Sequence, residues 1–403
     1  MSQKIAYLAS EYPAISHTFI FQEIKALRNE NFEIITASIN ESKKIDRMTD
    51  EEKEDHNSTY YIKKTPVSKI IVAHLSVFMK SPFLYLSVLK KAIRSRKMAY
   101  SLGKGIAYFV EAVLIVDWMR KENVKHIHVH FGNPAATVVL FASYFRDISY
   151  SISIHGSDIF YNVDENLLRE KILNAWKVRC ISSYCQSQLM RLVSFDVWKK
   201  FEIVRCGVDT NRFSPGLKPE NKTPEILCLG RLDPAKGQHI LLKSAKLLEE
   251  RDLSLQLLFV GDGPERDSLK YEAKKMNLKN DVIFTGAVGH DEVHNYYDRA
   301  DIFVLPSFAE GIPVVLMEAM AKEVPVISSR ITGIPELIAD GVSGILTTPT
   351  DSIELADAIE NILKDKNYAL SLGKKGRERV QADYNIRTNC RKMADFFLEM
   401  DNG

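Results

Sequence analysis

The chain has 403 residues, 45% hydrophobic and 26% charged, a balance typical of a folded globular protein rather than a disordered or fibrous one. Single cores stop growing beyond roughly 250–300 residues, so two domains are expected. The net charge of +2 excludes a whole-molecule field for nucleic acid, and Cys180, Cys185, Cys206, Cys228 and Cys390, irregularly spaced and without a C-x-x-C pair, suggest neither a disulfide framework nor a thiolate zinc site.

The opening MSQKIAYLASEYP has no apolar signal-type core and reads directly as a strand over Lys4–Ala9. Further strands are predicted at Glu33–Ile39, His126–Phe131, Tyr150–His155, Val178–Ser182 and Phe201–Arg205. In the second half they fall at Glu225–Leu229, Leu255–Val260, Asp281–Thr285, Asp301–Leu305, Pro325–Ser328 and Gly344–Leu346. Nearly all are unbroken apolar runs, as parallel strands covered on both faces should be. Helical periodicity lies between them, at Phe19–Asn29, Ala135–Phe145, Ile240–Glu249 and Ile353–Leu363 among others. The alternation predicts an α/β protein with doubly wound parallel sheets. Gly105–Met119, the most apolar later stretch, is cut by Glu111 and Asp117 and is too short to span a bilayer, so a cytoplasmic location is expected.

The alternation breaks at Gly207–Thr223, which carries two prolines, two glycines and no apolar period. The expected organisation is an N-terminal Rossmann-like domain over 1–210, a linker over 211–223, a C-terminal Rossmann-like domain over 224–385, and a final helix over 386–403 that returns to the first domain. Ligands of such sheets sit outside the carboxyl ends of the strands. Chemistry is therefore sought where strands end, and with two sheets the natural site is a cleft between domains.

Three strand ends stand out. After Asp301–Leu305 comes PSFAEGIPVVLMEAMAKEVPVI, in which Gly311-Ile312-Pro313 leads into a helix. Its first amides, those of Gly311, Ile312, Val314 and Val315, would seat a diphosphate or sugar hydroxyls. Glu310 precedes that end and Glu318 follows two turns on, either as hydroxyl acceptors or as a dipole-complementing charge and a solvated helix position. After Glu225–Leu229 comes LGRLDPAKG, where Gly230 allows close backbone approach and Arg231 and Lys236 could neutralise a diphosphate leaving group. Loop cations of this kind are often plain surface charges. The third is IHGSD, which places His155 at a strand terminus, suited to a sugar hydroxyl or to a structural bond. In HIHVHF, His126, His128 and His130 share one strand face. No cysteine or carboxylate completes a zinc motif there, and a strand-end cluster lining the cleft is the alternative.

Together these stretches resemble the retaining glycosyltransferases of family 4. The residues carrying the resemblance are GRLDPAKG (230–237), FVGDGPER (259–266), FTGAVGHDEV (284–293), ADIFVLPSFAEGIPVVLMEAMAKEVPVI (300–327) and GIPELIADGVSGIL (333–346), with Glu310 and Glu318 as the Glu-x7-Glu pair. SEYPAISHTFI and IHVHFGNPA are similar to the subgroup that builds exopolysaccharide and other bacterial surface glycans. The resemblance implies the GT-B fold, two Rossmann-like domains facing a deep cleft. It implies that Arg231 and Lys236 hold the donor diphosphate, that Glu318 takes the ribose hydroxyls, and that Glu310 with Gly311 and Ile312 holds the donor sugar. Val314 and Val315 would face the phosphate, Gly286, Ala287 and Val288 the base, and His155 would reach the sugar from the other domain. Many relatives carry a Gly-Gly loop after the first strand. This chain has Pro13-Ala14-Ile15-Ser16-His17-Thr18 there, so Ser16, His17 and Thr18 are possible cleft residues, with His130 beside them.

The resemblance implies transfer of a sugar from a nucleoside-diphosphate sugar to a glycan or polyprenyl-linked acceptor with retention. A same-face displacement, in which the leaving phosphate takes the acceptor's proton, needs positioning and charge stabilisation but no cofactor and no metal. A nucleotide-sugar 2-epimerase and a non-catalytic nucleotide-sugar-binding protein share the architecture. From His56 to Val110 there is no Asp or Glu, yet ten Lys or Arg accompany SVFMKSPFLYLSVLKKAI. Residues 62–98 therefore suit either peripheral contact with an anionic membrane at the inner face of the cytoplasmic membrane or a solvated face packed on the N-terminal sheet. No nucleic-acid partner is expected.

Overall fold

A computed structural model describes residues 3–402 except 15–17, 44, 96–100, 161–162, 217–222, 279–280 and 290. The chain divides into two compact units, one made of residues 1–204 with 390–403 and the other of residues 205–389.

Among the described residues the first unit holds seven strands: β1 (Lys4–Glu11), β2 (Glu33–Asn40), β3 (Tyr60–Tyr61), β4 (His126–His130), β5 (Ser149–Ile154), β6 (Lys177–Cys180) and β7 (Phe201–Ile203). All pair in parallel, in the order β3-β2-β1-β4-β5-β6-β7. The second unit holds β8 (Glu225–Leu229), β9 (Gln256–Val260), β10 (Asp281–Gly286), β11 (Ile302–Leu305), β12 (Val326–Ser329) and β13 (Ile345–Thr347), also parallel, in the order β10-β9-β8-β11-β12-β13. Each sheet runs outward from its first strand and then reverses direction, which is the doubly wound arrangement expected from the alternation. The reversal puts a switch point between β1 and β4 in one sheet and between β8 and β11 in the other.

The apolar runs explain the central strands. Every residue of β4, β8, β11 and β12 is buried, and each fully buried Leu, Ile or Phe contributes about 1.5–3 kcal/mol relative to exposure. In the second unit, Ile226, Leu257, Phe259, Ile302 and Val304 pack with Leu241, Leu242 and Ile359 from the covering helices. In the first, Tyr7, Ile24 and Leu27 pack with Met393, Phe396 and Phe397. The last three lie on the helix Ile386–Leu398, so residues from the end of the sequence complete the core of its beginning. The five cysteines are buried free thiols.

β3 escaped prediction because a two-residue edge strand carries too few side chains to show a period. Its neighbour is also distinctive. The helices Val67–Lys80 and Pro82–Ser95 meet at a bend of 117° and pack on the helix Leu102–Lys121, burying only small or β-branched groups, Ala73, Val77, Val88 and Ala92. The hairpin therefore does not spend its apolar side on the sheet. Val67, Val72, Leu75, Met79, Phe83 and Leu86 are all more than half exposed. Among the described residues no single helix is long and apolar enough to cross a membrane.

Candidate active site

Both motif loops of the second unit leave the switch point of its sheet, one from β8 and one from β11. The β8 loop begins at Gly230 and ends in a short 3-10 turn, Pro234–Lys236, whose start is capped by Asp233 through its carboxylate and the Ala235 amide at 3.0 Å. Gly237 follows at φ +62°, and a Cβ there would lie 2.2 Å from the Pro306 carbonyl oxygen. Only glycine lets the β11 loop approach this closely. That approach is fastened by Phe308 N–H donating to Ala235 O at 2.7 Å.

The closeness delivers Lys236 to Glu310. The Lys236 Nζ lies 2.5 Å from Glu310 Oε1, which also accepts from Ser307 Oγ at 2.8 Å. Thr332 Oγ1 donates to the Glu310 carbonyl at 2.7 Å and fixes the backbone before the helix. Both side chains of the ion pair are largely covered, 22% and 10% exposed, so the pair is screened less than a surface contact would be.

The helix Val314–Ala321 starts after Pro313 with no side-chain cap. Its first backbone bonds are donated by Leu316 and Met317 to Pro313 O. The amides of Val314 and Val315 thus lie at a positive helix end. Glu318 is not the solvated helix position that was the alternative. It is 5% exposed, it accepts from Tyr297 Oη at 2.8 Å, and burial pushes its carboxyl up to about 7 against the lowering effect of that bond and of Arg212. A buried carboxylate with one oxygen satisfied by a tyrosine is equipped to take hydroxyl donors on its remaining lone pairs.

Arg231 shares the β8 loop, where its carbonyl accepts from Gln238 Nε2 at 3.0 Å, but its side chain is 72% exposed, with Nε 3.8 Å from Asp233 Oδ2. The structure does not bring it against Lys236 or Glu310. Gly230 and Gly286 are tied through Gly261, which bonds the Gly286 carbonyl and leaves no room for a Cβ beside Gly230 O. Ala287 and Val288 follow Gly286, half-buried. Sequence reasoning did not identify Tyr297, Ser307 or Thr332. Tyr297 had no signal beyond an aromatic in a helical run, and Ser307 is the serine of the PSFAEG loop already in view.

In the first unit Thr18 opens the helix Thr18–Asn29, while Ser16 and His17 lie outside the described residues. His155 follows β5, and its backbone N–H is held by Asp158 Oδ2 at 2.9 Å. His130, expected to line a cleft, is fully buried. The strand-face histidines form a ladder with β5. His126 bonds Ser149 and Ser151, His128 bonds Ser151 and Ser153, and His130 Nδ1 reaches His155 Nε2 at 3.1 Å. Glu23, His128 and His130 bring ligand-type atoms within 4.8 Å of one another. Arg179, however, donates to Glu23, and both nitrogens of His128 are engaged by serines. That set is organised as a hydrogen-bond and ion-pair cluster, since a cation would have to share the Glu23 carboxylate with a guanidinium.

Residues 209–379 match the family model described as "Glycosyl transferases group 1". The chain is also 31% identical over 263 residues to the GDP-mannose-dependent alpha-(1-6)-phosphatidylinositol monomannoside mannosyltransferase of Mycobacterium tuberculosis, over 60% of this chain and 68% of that one. It belongs to the group 1 glycosyltransferases. Over nearly its whole length, 97% of this chain and 98% of the relative, it is 27% identical to the putative colanic acid biosynthesis glycosyltransferase WcaL of Escherichia coli K12. Among solved structures it is similar to HepE of Anabaena in complex with UDP, with a TM-score of 0.76 at 18% identity over 98% of this chain and all of that one. It is likewise similar to sucrose-phosphate synthase of Thermosynechococcus elongatus, with a TM-score of 0.77 at 22% identity over 99% of both. As a group 1 glycosyltransferase with the GT-B fold, the chain carries its motif loops at the carboxyl ends of the second sheet's strands.

Proposed function

We propose that this glycosyltransferase moves a sugar from a nucleoside-diphosphate sugar to a lipid-linked or glycan acceptor in surface-polysaccharide assembly, with retention at the anomeric carbon and without a metal. The observation that carries the reading is the meeting of Lys236 and Glu310 beside an uncapped helix end at the switch point of the second sheet. An ammonium and a set of amides suit the diphosphate, and a carboxylate beside them suits the hydroxyls of the attached sugar. Glu310 with the Gly311 and Ile312 backbone takes the sugar, Lys236, Arg231 and the Val314 and Val315 amides take the phosphates, and Glu318 takes the ribose. Gly286, Ala287 and Val288 lie along the base.

In this scheme the enzyme positions the two substrates and stabilises charge on the departing phosphate, which accepts the acceptor's proton on the face it leaves. The acceptor side is supported by the helical hairpin over 67–95. Its exposed apolar residues stand with Lys69, Lys80, Lys90 and Arg94, also exposed, and no carboxylate intervenes in sequence. Such a face suits an anionic membrane surface, where lipid-linked acceptors reside. The relatives named above include an enzyme acting on a phosphatidylinositol glycolipid and one assigned to colanic acid, which supports both acceptor classes.

The test is a thermal-shift screen of nucleoside diphosphates and their sugars, followed by turnover of the stabilising donor in excess EDTA and NMR of the product anomer. One donor should raise the melting temperature, because a ligand that binds only the folded state stabilises it. Turnover should then persist with EDTA and keep the donor's anomeric configuration. Inversion, or complete loss of turnover with EDTA, removes the corresponding part of the scheme.

A further inference from the structure

The carboxylate assigned to the ribose is held by a residue that no sequence motif marks. Glu318 lies on the helix Val314–Ala321 and Tyr297 on the helix Val293–Arg299, both in the second unit, and both side chains are buried. The Tyr297 ring packs edge-on against Phe213 and tilted against Phe303, with centroids 6.1 and 5.8 Å away, which gives its hydroxyl a fixed place. From there the hydroxyl meets two acceptors, Glu318 Oε2 at 2.8 Å and Val315 O at 3.2 Å.

A phenol has one proton to give. Burial and the Glu318 charge hold the Tyr297 hydroxyl well above its ordinary range, so it stays a donor. The carboxylate is the nearer acceptor, and bonds to a charged oxygen are the stronger ones, so an ionised Glu318 takes that proton. Among the described residues no other hydrogen bond reaches the Glu318 side chain, and Oε1 is not sealed from solvent. Its lone pairs remain for a ligand. The charges nearby are engaged with one another. Arg212, from the segment before β8, pairs with Asp291 and acts on Glu318 through charge alone, and Lys322 pairs with Asp298. His294, stacked on Phe213, is lowered by burial and by the Lys322 and Arg212 cations and stays neutral. Burial raises the Glu318 carboxyl to about 7, and the Tyr297 bond is the foremost influence pulling it back, because a donor favours the charged form.

We propose that Tyr297 is a positioning residue for the ribose: its hydroxyl occupies Glu318 Oε2, presents Oε1 to the ribose diol, and so sets how strongly the site prefers a ribonucleotide to its deoxy form. The inference rests on the proposed contact of Glu318 with the ribose. Tyr297 touches no substrate in this scheme. It acts through Glu318, by fixing which oxygen faces the ligand and by keeping that oxygen anionic, so that a ribose hydroxyl donates to a charge rather than to a neutral carboxyl.

The readout is a ratio of dissociation constants, 2′-deoxy over ribo form, for whichever of UDP and GDP binds the full-length protein, followed by calorimetry across the range in which Glu318 titrates. Titration of the diphosphate and of distant groups affects both nucleotides alike and cancels in the ratio. In the native protein the ratio should rise with pH through about 7, as Glu318 becomes an anion. Tyr297→Phe keeps the ring and its packing but loses the donor. Its midpoint should move up by about one pH unit or more, the usual effect of losing a bond to a charged group, with the ratio near neutral pH about threefold or more below native and largely regained about two units higher. A role in packing alone would lower the ratio equally at every pH. An unmoved midpoint in Tyr297→Phe overturns the proposal. Should that variant fail to fold, Tyr297→3,5-difluorotyrosine keeps the shape with a stronger donor; its midpoint should move down, and no movement overturns the proposal equally. Glu318→Ala tests the reading beneath. A native ratio in Glu318→Ala ends the ribose contact and this proposal together, whereas a ratio near one there, with an unmoved midpoint in the Tyr297 variant, ends only the part assigned to Tyr297.

Discussion

Lys236 and Glu310 are 74 positions apart in sequence and share a 2.5 Å ion pair, and the two loops that carry them are held together by a bond from the Phe308 amide to the Ala235 carbonyl. The pairing sets a competition. A diphosphate offered to the ammonium must be worth more than the carboxylate already there, whose Oε1 accepts from both Lys236 and Ser307.

Replacing Lys236 by Ala should lower kcat by about 10²–10³-fold, the usual effect of removing one donor to developing charge. It also leaves a largely covered Glu310 carboxylate without its cation, so some loss of thermal stability is expected. Steady-state kinetics at saturating donor checks the first effect. A variant with native kcat would remove Lys236 from the phosphate site.

Glu318 links stability to pH. Its carboxyl is raised to about 7 in the folded protein, whereas in the unfolded chain it titrates near its ordinary value. Between those values the folded state binds more protons, so this residue's contribution to stability is lost as pH rises through about 7. Glu318→Gln removes that loss and can still accept from Tyr297. The variant should be more stable than native by up to about 3 kcal/mol at pH 8, with the difference shrinking toward pH 5. Nucleotide affinity should fall at the same time, because two ribose hydroxyls lose an anionic acceptor. Calorimetry with and without UDP or GDP measures both, and unchanged affinity would take Glu318 out of the ribose site.

Gly237→Ala should separate the two loops. A methyl group 2.2 Å from the Pro306 oxygen cannot be accommodated, and φ of +62° disfavours alanine even without the clash. A cost on the order of 1–3 kcal/mol is expected from the strained backbone, with a larger fall in kcat than in melting temperature. Native kinetics in a folded Gly237→Ala protein would mean that the Lys236–Glu310 meeting does not matter for turnover.

The hairpin should bind vesicles. Phe83 and Met79 are 88% and 79% exposed, so Phe83→Ser and Met79→Ser remove apolar surface without touching the core. The native protein should float with phosphatidylglycerol vesicles at low salt and not with phosphatidylcholine vesicles, and the double variant should stay in solution. Absence of native binding to anionic vesicles would show that the face has another use.

Much of this molecule could be read in its residues, for identifiable reasons. Most strands were visible because parallel strands covered on both faces need unbroken apolar runs, as ILCL in β8 and IFVL in β11 show. The motif loops were visible because glycine, proline and charge concentrate where a strand stops. The burial of Glu318 was not legible, because a carboxylate in a helix reads as solvated until the tertiary structure puts Tyr297 against it. The Glu23–Arg179 pair was hidden for the same reason, being made by residues 156 positions apart. The histidines of HIHVH were noticed as a shared face, but their partners are serines on a neighbouring strand whose register no local pattern reveals.

The helix Ile386–Leu398 also constrains the order of events during synthesis. Phe396, Phe397 and Met393 fill the space around Tyr7 and Ile24, yet they emerge only after every residue of the second unit has been made. The earlier-translated half thus has to persist with an incomplete interior while the later half is assembled. A nascent chain arrested before residue 390 should accordingly be cut by proteases first within its N-terminal portion.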